Sequence, residues 1–119
     1  MSVKFMHIHA VRQREAQLAE AAQNLERLKE EVAVRIERSY NKLERTRHMV
    51  QVADEVVRLR QESERLAQNQ LTQGVVLVAE RRQATASTYK AQADYLQANL
   101  GYLLSWAELE REAGRTPGF

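Results

Sequence analysis

The feature that most constrains this chain is a stretch of 64 residues, from Ala10 to Gln73, that contains neither glycine nor proline. Both residues break helices, and their absence over such a length predicts one continuous α-helix. Ala, Glu, Lys, Leu and Arg make up just over half of the 119 residues, as in coiled coils and long helices. A helix of that length would extend about 95 Å, so an elongated chain is expected rather than a compact enzyme.

Apolar residues in this stretch recur at intervals of seven, which is typical of a helix that pairs with another helix. A single step of four, between Val32 and Ile36, interrupts the repeat as a stutter does. The repeating positions are Leu18, Leu25, Val32, Ile36, Leu43, Val50 and Val57, and the companion positions are Ala21, Ala22, Leu28, Tyr40, Ala53, Leu66 and Ala67.

The helical pattern stops at Leu71 to Val76, where Gly74 can take the left-handed conformation that ends a helix. It returns near Val78 and continues to Gly114. We therefore predict an all-α fold, a long antiparallel helical hairpin that resembles a coiled coil and has arms of unequal length. The predicted segments are a short N-terminal segment (1–9), a long helix (10–73), a tip (74–77), a returning helix (78–114) and a tail (115–119).

The returning helix carries two apolar stripes, and a helix that is apolar on two faces needs two neighbours. One stripe is Ala86, Tyr89, Ala93, Leu96, Leu100, Leu103 and Ala107, and the other is Ala84, Ala91, Tyr95, Ala98, Tyr102, Trp106 and Leu109. Packing between helices is the predicted role of Tyr89, Tyr95, Leu96, Tyr102, Leu103 and Trp106, although such an aromatic strip could also bind a ligand. Because the hairpin leaves apolar surface uncovered, we expect self-association or another stretch of chain over it.

Charge excludes some partners. The 18 Lys and Arg and the 16 Asp and Glu are interleaved, so we expect no nucleic-acid partner, because phosphate tracking requires clustered cations. The same mixing of charges argues against an amphipathic helix that lies on a membrane surface. The longest uncharged run is too short and too polar to span a bilayer, and the N-terminus lacks the apolar core of a signal peptide, so this chain is expected to be soluble.

No residue pattern predicts catalysis. The sequence has no serine with a nearby acid–base partner and no glycine-rich phosphate loop. His7 and His9 would share one face of an extended strand, but no third ligand follows, so neither a metal nor another cofactor is expected. His48 is expected to be solvated. The chain is predicted not to be an enzyme.

Several segments resemble the TolC-type outer-membrane channel family, also called outer membrane efflux proteins. Residues 71–80 (LTQGVVLVAE) look like that family's hairpin tip, and residues 89–96 (YKAQADYL) and 107–114 (AELEREAG) continue the likeness. Upstream, residues 31–43 look like a stretch that ends in Ala-Tyr-x-x-Leu, with Ser39 in place of the alanine. The family pattern has aliphatic residues where this chain has Arg81 and Arg82.

The resemblance implies a function in transport. This chain would be the helical part of the second half of a channel subunit, with residues 1–9 as the remnant of a barrel strand. Three subunits would build a periplasmic tunnel, and Leu71, Gly74, Val75 and Val76 would contact a periplasmic adaptor protein. Glu80, Arg81 and Arg82 would lie near a gate or constriction. The full-length parent would reside in the outer membrane and periplasm.

An alternative from another class stays open. A free-standing coiled-coil scaffold would oligomerise, as a dimer or another bundle, through the same seam without any transport role.

Overall fold

The computed structural model describes residues 2–114, and this part of the chain contains two α-helices and no β-strand. Helix α1 extends from Ser2 to Thr72, and helix α2 from Val78 to Glu112. The chain divides into two units, Met1–Glu37 and Arg38–Phe119, which we call the N-terminal unit and the hairpin unit.

The predicted helical hairpin is confirmed, with the turn at Gly74 and arms of 71 and 35 residues. The prediction for the first nine residues is wrong, because α1 already begins at Ser2 and residues 2–9 are helical rather than the remnant of a strand. Nothing in this segment breaks a helix, and its residues simply extend the run that follows. The predicted tail, 115–119, lies outside the described residues.

In the hairpin unit the two helices are antiparallel. Three polar contacts between the helices show this order. Near the tip, Arg81 bonds to Gln68 and Thr85 bonds to Glu64. Farther from the tip, a salt bridge joins Lys42 to Glu108. Each step back along α1 is therefore matched by a similar step forward along α2.

The core of the hairpin unit is a line of mostly small side chains. Its buried residues are Ser39, Leu43, Thr88, Ala91 and Ser105. Along each helix the buried and half-buried positions alternate by three and four, as in Leu43, Thr46, Val50, Ala53 and Val57 on α1. This spacing is that of a coiled-coil seam, and the predicted repeat is confirmed in this unit, since Leu43 is buried and Val50 and Val57 are half-buried.

Two details of the predicted seam differ. Tyr40 was expected beside the seam but is mostly exposed, and Ser39 is buried instead. The spacing by three and four from Leu43 leads back to Ser39, so Tyr40 lies on the flank. Small polar side chains fit here because each hydroxyl can bond to a helical carbonyl oxygen, as Ser105 does to Gly101 at 2.9 Å.

Candidate interaction surfaces

The tip of the hairpin is a well-formed helix end. Gly74 has a φ of 74°, in the left-handed region that glycine adopts without strain. The Gly74 amide donates to the carbonyl oxygen of Leu71 at 3.0 Å, and the Val75 amide donates to that of Gln70 at 2.8 Å. These two bonds form a Schellman motif, which satisfies the last carbonyls of α1 and fixes the direction in which the chain leaves it.

The turn presents apolar side chains to solvent. Val75 is 68% exposed and Leu77 is 71% exposed, and Val78 opens α2 with about half of its surface exposed. Of the predicted tip residues, Gly74 and Val75 are exposed, whereas Leu71 and Val76 are half-buried. Leu77 and Val78 were not among the predicted tip residues, although they belong to the same apolar run. Exposed apolar side chains at a turn are costly in water, so this tip is a candidate docking surface.

The three charged residues after the tip have different surroundings. Arg81 is half-buried, and its Nε donates to the Gln68 side-chain oxygen at 2.8 Å, so it joins the two helices. Glu80 and Arg82 are exposed. Glu80 lies in the first turn of α2, where a carboxylate interacts favourably with the helix dipole. The structure therefore gives Arg81 a structural contact and leaves Glu80 and Arg82 accessible.

The six residues predicted to pack between helices separate into two groups. Tyr95 and Tyr102 are half-buried, in step with the buried Ala91 and Ser105 of the hairpin core. The other four, Tyr89, Leu96, Leu103 and Trp106, are exposed. The second predicted stripe of α2 thus supplies most of the covered positions within the hairpin, although its Trp106 is exposed.

The first stripe of α2 remains uncovered. Tyr89, Leu96, Leu100 and Leu103 are each more than half exposed. They recur by three, four and seven residues, so they share one face of the helix. We call this set the outer face of α2. A monomer rarely leaves so many large apolar side chains together in water, which makes this face a second candidate docking surface.

A groove runs along one flank of the hairpin unit and was not predicted. It has a volume of about 730 Å³, and Met49 and Val52 from α1 line it together with Leu100, Gly101 and Leu104 from α2. A Cβ atom added at Gly101 would meet no atom within 4 Å, so the groove has free space for a methyl group at that point. The sequence did carry a signal, because Met49, Val52, Val56 and Leu59 recur by three and four as another apolar stripe on α1.

The N-terminal unit carries a further apolar line. Its residues are Val11, Leu18, Ala21, Leu25, Leu28 and Val32, which we call the N-terminal seam. All six are exposed, and among the five larger side chains Leu18 is the most accessible at 70%. The spacing by three, four and seven places them in one stripe along the helix. This seam has the pattern of a coiled coil and is the third candidate surface.

The charged side chains bond mainly to neighbours on the same helix. The Glu44 carboxylate accepts a hydrogen bond from Arg47 and raises the pKa of that guanidinium. Likewise the hydrogen bond from Arg65 lowers the pKa of the Glu62 carboxyl, and Glu62 raises that of Arg65. All four side chains keep at least 40% of their surface exposed, and such short-range pairs support the helix that carries them.

The histidines near the N-terminus do not form a metal-ligand pair in the structure. The helix turns His7 and His9 about 200° apart, so they do not share the face that an extended strand would give them. The His9 ring instead stacks on that of Phe5, with the ring centres 6.4 Å apart. No three His, Asp or Glu side chains among residues 2–114 come together as metal ligands.

Comparison of the chain with protein families, curated proteins and solved structures finds no match. In residues 2–114, neither helix includes a segment long and apolar enough to cross a bilayer.

Proposed function

We propose that this chain acts by assembly with other helices, as the helical part of a subunit of a TolC-type outer-membrane channel. Its hairpin would form part of the periplasmic tunnel, and its tip would bind an adaptor protein. The observation that carries the proposal is the exposed apolar tip, Val75, Leu77 and Val78, held at the end of an antiparallel hairpin by the turn at Gly74.

Two further observations support a role in assembly. The outer face of α2 is apolar and uncovered, as expected of a helix with a neighbour on each side. The flank groove beside Gly101 adds apolar surface between the two helices. A tunnel wall made of hairpins packed side by side would cover both surfaces.

The experiment places two substitutions at the tip, Val75→Asp and Leu77→Asp, in the chromosomal gene of the host. If the tip binds an adaptor, efflux of a fluorescent dye falls and cross-linking between the tip and a periplasmic adaptor is lost. The matched control is Gln70→Asp, an exposed position on α1 that contributes no apolar surface to the tip. Unchanged efflux and cross-linking in the doubly substituted strain would rule out the docking role.

A second candidate is a free-standing coiled-coil scaffold that oligomerises without any role in transport. The N-terminal seam favours it, because an exposed heptad stripe of this length is itself a site for pairing with another helix. Light scattering of the purified chain at micromolar concentration tests this candidate. We expect a dimer or a larger bundle, and a strict monomer would rule the scaffold out.

A further inference from the structure

The N-terminal seam has a pattern of charges that favours a particular partner helix and a particular orientation of that helix. In heptad letters, Val11, Leu18, Leu25 and Val32 occupy position a, and Arg14, Ala21 and Leu28 occupy position d. The flanking e positions hold Glu15, Ala22 and Lys29, and the flanking g positions hold Gln17, Asn24 and Glu31. Flanking residues set the partner and orientation of a coiled coil, so they can be compared for each arrangement of two copies.

In a parallel, in-register pair each residue of the seam faces its own copy. Arg14 would then face Arg14 at a d position, which brings two like charges together at the centre of the interface. Residues at g face the e position five residues later, so Gln17 would face Ala22 and Asn24 would face Lys29. This arrangement gives Glu15 and Lys29 no partner of opposite charge.

In an antiparallel pair each a residue faces a d residue of the other copy. One register aligns Leu18 with Leu28, and Ala21 with Leu25, of the second copy, and by symmetry it makes each contact twice. Four apolar layers then lie together at the centre of the overlap. Arg14 now faces Val32 of the second copy, so the like charges are separated.

The same register also matches the flanks. In an antiparallel coiled coil e faces e and g faces g, which brings Glu15 of each copy to Lys29 of the other. Gln17 faces Glu31 and can donate a hydrogen bond to it, and Asn24 faces Asn24 on the two-fold axis. Shifting the register by seven residues in either direction removes both pairs between Glu15 and Lys29.

The side chains involved are accessible. Glu15 is exposed, and Lys29 lies within 3.5 Å of Glu26 on its own helix with about two thirds of its side chain exposed. A contact of that length on the surface is weak, so Lys29 can turn toward another carboxylate.

We propose that two copies of this chain pair through their N-terminal seams as an antiparallel coiled coil, with Glu15 of each copy beside Lys29 of the other. The inference rests on the scaffold function proposed above, since a two-fold antiparallel pair differs from a tunnel whose subunits all point in one direction. The interface is isologous and closes on itself, so it gives a dimer and not an open filament.

Cysteine cross-linking tests the direction in the full-length chain, which has no cysteine of its own. Leu18→Cys and Leu28→Cys chains, one of them carrying a mass tag, are mixed and oxidised mildly. We expect the mixed disulfide between positions 18 and 28, with little disulfide from either variant alone. In the antiparallel pair the two copies of position 18 lie about 15 Å apart along the axis, which is beyond the reach of a disulfide.

The outcomes separate the two proposals. Self-linked Leu18→Cys dimers would show a parallel pair, which overturns the antiparallel inference and leaves the scaffold function standing. A chain that stays monomeric in light scattering and forms no cross-link would overturn both. A dimer that survives Leu25→Asp uses another surface and also overturns the inference.

Charge exchange tests the flanking pairs without altering the apolar seam. We expect Glu15→Lys to weaken dimerisation about tenfold at low salt, because both pairs become repulsive. Adding Lys29→Glu to the same chain should restore most of the lost affinity, measured by sedimentation equilibrium. The control is Glu20→Lys, which makes the same charge change on the far side of the helix. No rescue in the double variant, or an equal effect of Glu20→Lys, would refute the pairing.

Discussion

Thr88 on α2 hydrogen-bonds across the hairpin to the backbone of α1, with its Oγ1 3.1 Å from the carbonyl oxygen of Arg60. The same hydroxyl lies 3.2 Å from the carbonyl oxygen of Ala84 one turn earlier in α2. A side chain can bond to the backbone of a neighbouring helix only where the two helices are close. The buried Thr88 is therefore both a packing residue and a link between the two arms.

Thr88→Val keeps the shape of this side chain and removes its hydroxyl. We expect the free energy of unfolding to fall by about 0.5–1.5 kcal/mol, the usual net value of one hydrogen bond. Thr72→Val is the matched control, because the Thr72 hydroxyl is exposed and bonds within its own helix, to Gln68. Denaturant unfolding followed by circular dichroism measures both, and equal losses would contradict the role of the cross-helix bond.

A larger side chain in the core of the hairpin should push the two helices apart. Ser105 is only 1% exposed, and we expect Ser105→Leu to destabilise the hairpin by about 1–3 kcal/mol through overpacking. The same side chain placed at Gln97, which is exposed, should change stability by no more than about 0.5 kcal/mol. If thermal unfolding shows Ser105→Leu to be as stable as Gln97→Leu, the helices are not closely packed at Ser105.

Substitution by alanine should change the stability of the hairpin in opposite directions at Gly74 and Gly101. Gly74 has a positive φ, so Gly74→Ala should cost about 1–2 kcal/mol from backbone strain although open space surrounds the new methyl group. Gly101 lies within α2, again with open space, and Gly101→Ala should stabilise by about 0.5–1 kcal/mol. Chemical denaturation of the two variants gives the comparison, and a change of the same sign in both would be inconsistent with this turn.

The Lys42–Glu108 salt bridge, 2.8 Å long, joins the helices far from the tip. Both side chains keep a third or more of their surface in water, so the coupling should be only about 0.2–1 kcal/mol. A double-mutant cycle with Lys42→Met and Glu108→Gln measures it. The coupling should shrink in 1 M salt, and a value that salt leaves unchanged would indicate a contact of another kind.

Acid should remove the contribution of the Glu62–Arg65 pair. Because the hydrogen bond from Arg65 lowers the folded pKa of Glu62 below its ordinary 4.5, this stabilisation is complete above that pH. It is lost as the pH falls through the folded value. The thermal midpoint of the parent should therefore exceed that of Glu62→Gln at pH 7, and the difference should shrink as the pH is lowered below 4.5. A difference that grows in acid would have the wrong sign for this mechanism.

Periodicity and the absence of breakers predict most of this fold. The seven-residue repeat through Leu43 and Val57 locates the face of α1 that packs, and Gly74 locates the turn. The sequence does not predict that the helix starts at Ser2, because residues 2–9 have no apolar periodicity of their own. The family resemblance implies a strand in this segment instead.

The buried hydroxyl residues and the flank groove are harder to predict from the sequence. Hydropathy does not mark Ser39, Thr88 or Ser105 as core residues, because a hydroxyl is buried only where a carbonyl oxygen of a close helix turn accepts its hydrogen bond. The flank groove combines Met49 of α1 with Leu104 of α2, and the pairing depends on the register of the two helices. That register depends on how the two helices pack against each other, and the apolar pattern of a single helix does not determine it.

The Schellman turn at Gly74 also sets the phase of the second helix. Three residues separate Gly74 from Val78, and this count decides which side of α2 turns toward α1. One residue inserted there would rotate α2 by about 100° and carry Ala91 and Ser105 away from their seam. Loops usually tolerate changes of length, but in this protein the length of the tip selects which of two apolar faces is buried in the hairpin and which is left exposed to solvent.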